Sequence, residues 1–87
     1  MRLPLIKQLV NFAQNNDSDY LTETLELLED FVNARGLKEE ELDTLGELMS
    51  NLHGALEVLK SINSGSTQKD ALNEFMKKVS NIGNGKH

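Results

Sequence analysis

Two groups of polar side chains have the residue types and spacing that chemistry requires. His53 stands one helical turn before Glu57, so an imidazole and a carboxylate share a face and could hold a cation or pass a proton. A metal site usually takes three or four ligands, and no second histidine lies within the part of the chain expected to fold. Asn15, Asp17, Asp19, Glu23 and Glu26 match the spacing of oxygen ligands in a calcium-binding EF-hand loop. Tyr20, however, occupies the position where such a loop needs glycine for its sharp turn. A helix cap followed by an acidic first turn accounts for the same residues.

Asp17-Ser18, ahead of an acidic helix, superficially resembles the modified serine of acyl carrier proteins. The serine comes too early for that family, with no long loop before it, and Asp19 replaces the apolar residue expected next. No Ser/His/Asp arrangement, phosphate-cradling glycine loop or paired-carboxylate site emerges from the spacings. The chain is therefore expected to be non-enzymatic, with no catalytic or metal-binding residue and no cofactor. A polar pocket around Tyr20, Asn51, His53 and Glu57 would instead suit a small-molecule- or metal-responsive regulator, the alternative function.

The elements that must position these residues are helical. From Leu37 to Ile62, apolar residues fall at Leu42, Leu45, Met49, Leu52, Leu56 and Leu59, with gaps alternating three and four. No proline interrupts the run, so one long helix is predicted over about 37–62. Beside its apolar seam, Gly46, Ser50 and Gly54 recur every four residues and form a smooth strip. Glycine within a helix costs roughly 1 kcal/mol relative to alanine, so the strip marks a backbone that another helix approaches closely. Gly46, Met49, Ser50, Leu52 and Gly54 are the expected helix-packing or interface residues.

Pro4 opens a first helix over about 4–15, whose apolar face includes Leu5, Ile6, Leu9 and Val10. Asp17 or Ser18 can cap a second, over about 18–34, which Arg35-Gly36 closes. The tight link to Leu37 makes helices two and three antiparallel neighbours. Ser66 or Thr67 caps a fourth helix carrying Ala71, Leu72, Phe75, Met76 and Val79. The expected fold is all-α: a compact four-helix bundle-like single domain over 1–82, with a flexible tail at 83–87.

The totals set further bounds. Eighty-seven residues make one domain with little stability to spare, and chains of this size often oligomerise. A net charge of −5 argues against binding a phosphate backbone, so no nucleic-acid partner is expected. The absence of cysteine removes disulfide, thiol and thiolate-metal chemistry and suits a reducing cytoplasm, the expected location. The apolar runs of the first twelve residues are too short for a signal peptide or membrane span, so no membrane association is expected.

Several stretches also resemble, along nearly the whole chain, a family of short uncharacterised bacterial all-helical proteins. They include Leu3-Pro4 with Ile6-Lys7, Asn16-Asp17 with Asp19-Tyr20, Glu40-Glu41-Leu42-Asp43, Gly46-Glu47-Leu48, Gly54-Ala55, and Ala71-Leu72-Asn73 with Phe75-Met76. The resemblance implies no activity. Members tend to carry tyrosine where His53 stands, which counts against a catalytic role for that histidine. Their association with thioredoxin- and peroxiredoxin-like genes implies an accessory part in redox housekeeping.

Taken together, these features predict a protein-interaction or accessory module, a homodimer with a further protein partner. An acidic mimic of some other surface is a third reading, and it requires the carboxylates of helices two and three to converge on one face.

Overall fold

Helix ends in this chain are closed by short-range polar contacts, and these set the element boundaries. The structure, a computed structural model, describes residues 2–84, with side chains described for residues 2–79. Four helices follow one another: α1 (Leu3–Asn15), α2 (Asp19–Phe31), α3 (Glu39–Asn63) and α4 (Gln68–Asn84). No strand occurs among the described residues, and the fold is the expected all-α one.

Proline lies in the first turn of α1, where its missing N–H is not needed. At the start of α2, the Asp17 carboxylate accepts the Asp19 backbone N–H at 2.9 Å, whereas the Ser18 side chain makes no capping bond. Between the two candidate caps, Asp17 does the work. The second helix ends at Phe31 rather than Ala34. Beyond it, Asn33 and Ala34 donate to Asp30 and Phe31 in tighter three-residue turns that satisfy the last carbonyls. At the head of α3, Glu41 Oε1 accepts the Lys38 N–H at 2.8 Å, so the helix begins at Glu39, two residues after the expected start. α3 closes at Gly65, whose φ of +117° is readily available only to glycine. There the Gly65 and Ser66 N–H groups donate to the Ile62 and Ser61 carbonyls. Thr67 Oγ1 then accepts the Asp70 N–H at 3.2 Å and caps α4. Of the tail expected at 83–87, Gly83 and Asn84 continue α4, and residues 85–87 lie outside the described residues.

The longest helix, α3, packs against all three others, while α2 and α4 do not meet. α2 runs antiparallel to α3, with Leu28 near Leu48 and Leu52, and Phe31 near Leu45. The core is contributed by Ile6 and Val10 of α1, Leu21 and Leu25 of α2, Leu52, Ala55 and Val58 of α3, and Ala71 and Leu72 of α4.

α1 and α4 meet α3 at Gly54. A Cβ built there would lie 3.0 Å from Ile6 Cδ1 and 3.1 Å from Phe75 Cζ. Gly46 has open space around it. The expected small-residue strip is thus two different things: Gly54 is internal packing, while a side chain at Gly46 would enter open space. Leu52 is also consumed in the core, and Met49 packs against the core's edge. Neither Leu52 nor Gly54 is available to a second chain, so of the expected helix-packing or interface residues these two serve packing within the chain.

These environments predict opposite outcomes for two glycine substitutions. Gly54→Leu should lower stability by about 2–3 kcal/mol through overpacking, whereas Gly46→Ala should raise it by about 1 kcal/mol through helix propensity alone. Urea unfolding midpoints at an unchanged slope would measure both.

Candidate functional site

One face of α3 carries Glu41, Leu45, Leu48, Leu52, Ala55 and Leu59, at alternating gaps of four and three. Its C-terminal half is covered: Leu52, Ala55 and Leu59 are buried. Its N-terminal half is not, since Leu48 is 46% exposed and Leu45 only half-buried. α2 presents a facing stripe of Thr24, Leu27, Leu28 and Phe31, at the spacing of one helix side. Leu27 is 65% exposed and Phe31 46%. Together they leave apolar side chains exposed on both α2 and α3.

Two hollows lie along these stripes. The first, of about 260 Å³, is walled by Leu5 and Leu9 of α1, Leu28 of α2, and Leu48 and Leu52 of α3. The second is bounded by Phe31, Leu37, Thr44 and Leu45, with Glu40 and Glu41 on its edge. The steps from Leu28 to Phe31 and from Leu48 back to Leu45 are each about one turn, so both hollows open on the same side of the α2–α3 seam. They form a groove. From Glu41 to Leu52 it runs about 16 Å, or three turns of helix.

The end of this groove nearest α1 is fixed by polar contacts. Asn51, only 1% exposed, accepts the Arg2 backbone N–H at 2.9 Å and donates from Nδ2 to the Glu47 carbonyl at 2.9 Å. The Arg2 guanidinium reaches Glu47 Oε1 at 2.9 Å. Both ends of the Asn51 amide are therefore engaged within the chain, which makes it a structural anchor. Phe12 and Tyr20 pack edge-to-face, with ring centroids 5.5 Å apart, and brace the turn from α1 to α2.

The four residues of the expected polar pocket are not brought together. Asn51 is buried beneath α1, whereas His53, two residues on, is exposed, because that step carries a side chain to nearly the opposite side of a helix. Glu57 is exposed and borders a shallow depression with Ser61 and Phe75, while Tyr20 packs on Phe12. The calcium-loop spacing also fails to become a loop: Asp19, Glu23 and Glu26 lie within α2, and a straight helix cannot wrap an ion. Among the described residues, no three His, Asp or Glu side chains cluster so as to hold a metal ion.

The residues of the apolar groove were not singled out in the sequence, where Leu27 and Phe31 recur at the apolar spacing of helix two. The available signal was an excess: Leu48 is an apolar residue that the seam through Leu42, Leu45, Met49 and Leu52 does not include.

A family model described as a family of unknown function, DUF6952, matches residues 1–82. The chain belongs to the DUF6952 family. The DUF6952 match takes in α1, α2, α3 and nearly all of α4, so the whole groove lies within it. Neither curated proteins nor solved structures provide a match to the chain. Membership in DUF6952 accords with the resemblance drawn from the sequence and brings no activity with it. No helix among the described residues is long and apolar enough to cross a membrane.

The contrast between the two neighbouring polar residues is testable. Asn51→Ala should cost about 1–3 kcal/mol, because it removes a buried side chain that accepts the Arg2 N–H and donates to the Glu47 carbonyl. His53→Ala should stay within about 0.5 kcal/mol of the parent, as surface substitutions do. Denaturant titration of the three proteins side by side distinguishes these outcomes.

Proposed function

We propose that this chain is a non-enzymatic interaction module that binds another protein in the groove between α2 and the N-terminal half of α3. The observation that carries this reading is the interrupted stripe of α3, buried at Leu52, Ala55 and Leu59 but uncovered at Leu45 and Leu48. An apolar helix face left open between two helices suits the face of a partner helix, with side chains entering at one-turn intervals. The hollow beside Leu48, at about 260 Å³, is smaller than most sites for drug-sized molecules. It suits one or two side chains of a larger ligand. A part in redox housekeeping would run through such a partner, because the chain has no cysteine to exchange disulfides.

Pairing of two copies across the same face is the competing reading, and it is favoured by the small size of the domain. A photo-crosslinking amino acid placed at Leu27 or Leu48, with exposed Lys60 as the control position, tests both. In the source cells, the two groove positions are expected to give discrete adducts with a different polypeptide, and position 60 none. Adducts only at twice the chain's own mass would make the groove a dimer seam. Light scattering would show the same result as a mass that halves in Leu48→Ser. Equal labelling at all three positions would overturn the proposal.

A further inference from the structure

The charge of this chain is divided unevenly, and the division follows the groove. Eleven of its fourteen carboxylate residues lie between Asp17 and Glu47, where the only cations are Arg35 and Lys38. Among the described residues, one of those eleven, Glu47, is in an ion pair, with Arg2. α2 contains five acidic residues and no basic one.

Their placement is more informative than their number. On α2, the helical neighbours of exposed Leu27 are Glu23, Thr24, Asp30 and Phe31, at four and three residues on either side. Glu23 and Asp30 therefore border the apolar stripe on its outward side. Glu40 and Glu41 border the hollow formed by Phe31, Leu37 and Leu45. No lysine or arginine lines either hollow. The remaining acids, such as Glu26 and Glu29 on α2 and Asp43 on α3, fall on other faces, so the carboxylates converge only in part.

Building on the proposed role of the groove, we infer that its occupant is a cationic amphipathic helix of another protein. The occupant presents about three turns of apolar residues to the Leu45–Leu48 and Leu27–Phe31 stripes, with lysine or arginine along its flanks. Apolar contact supplies affinity, and the carboxylate rim supplies orientation and selectivity. The same rim disfavours a second copy in this position. A two-fold contact sets a surface against itself, so the acidic rim of Glu23, Asp30, Glu40 and Glu41 on one copy would face the same rim on the other.

The test uses three fluorescent helical peptides of about 14 residues, all with leucine at the same amphipathic positions. Their polar positions are lysine, glutamate or glutamine. Fluorescence anisotropy with the full chain should show the lysine peptide bound at least tenfold more tightly than the glutamate peptide at low salt. That preference should shrink toward the glutamine peptide as ionic strength rises. Glu23→Lys with Asp30→Lys should weaken the lysine peptide about tenfold and strengthen the glutamate peptide. Leu27→Ser with Leu48→Ser should abolish binding of all three while leaving the carboxylates in place, and circular dichroism would confirm that both variants remain helical.

Equal binding of the three peptides would overturn the charge assignment while leaving the groove a protein-binding site. Binding of the lysine peptide alone that survives Leu27→Ser with Leu48→Ser would mean adsorption to the acidic surface and would overturn the docking assignment. No binding by any peptide, together with a dimer that Leu48→Ser dissociates, would replace the partner helix with a second copy.

Discussion

The close approach of α1 and α4 to α3 at Gly54 is the constraint on which the rest of the arrangement depends. Ile6 and Phe75 occupy the space where any larger residue would place its Cβ. One turn earlier, Asn51 takes the Arg2 N–H and so holds the start of α1 down on α3. These two contacts anchor α1 and α4 to the C-terminal half of the long helix. Along the N-terminal half, α1 reaches Glu47 and the hollow beside Leu48, and α2 packs near Leu45. The groove is the geometric remainder of that packing.

Polar side chains in this chain serve mainly to fix helix positions. Gln68 donates to Asn11 at 2.9 Å and ties the start of α4 to the middle of α1, while Glu41, Asp17 and Thr67 act on helix ends. None of these contacts gathers reactive groups at one point. Apolar surface, by contrast, is left substantially exposed at Leu27 and Phe31 of α2 and at Leu48 of α3. The arrangement suits recognition by shape and charge.

Local signals in the sequence carried the helices well. The alternating gaps through Leu45, Leu52 and Leu59, the proline in the first turn and the Gly36 and Gly65 breaks correspond to four helices with ends within about three residues of expectation. What was not legible was how far each helix is covered. Gly46 and Gly54 look alike in a four-residue repeat, yet a Cβ at Gly46 would meet open space, whereas one at Gly54 would meet Ile6 and Phe75. The pocket read around His53 failed for a related reason: residues near in number point apart on a helix, and Tyr20 is held by Phe12 on another part of the surface. The groove residues were hidden in the opposite way, since Leu27 and Phe31 have the composition of a core that their neighbours never complete.

The molecule is also thin. Its extents are 43 × 39 × 17 Å, and its radius of gyration of 14.1 Å exceeds the roughly 12 Å of a rounder chain of this length. A thickness of 17 Å leaves room for no more than two helix layers. Such a plate removes less apolar surface from water than a sphere would, so the heat-capacity change on unfolding is expected to be small for its length. The expected curve of stability against temperature is correspondingly shallow. A partner seated on one broad face would add the missing layer, and would deepen that curve by placing hydrocarbon on both sides of α2.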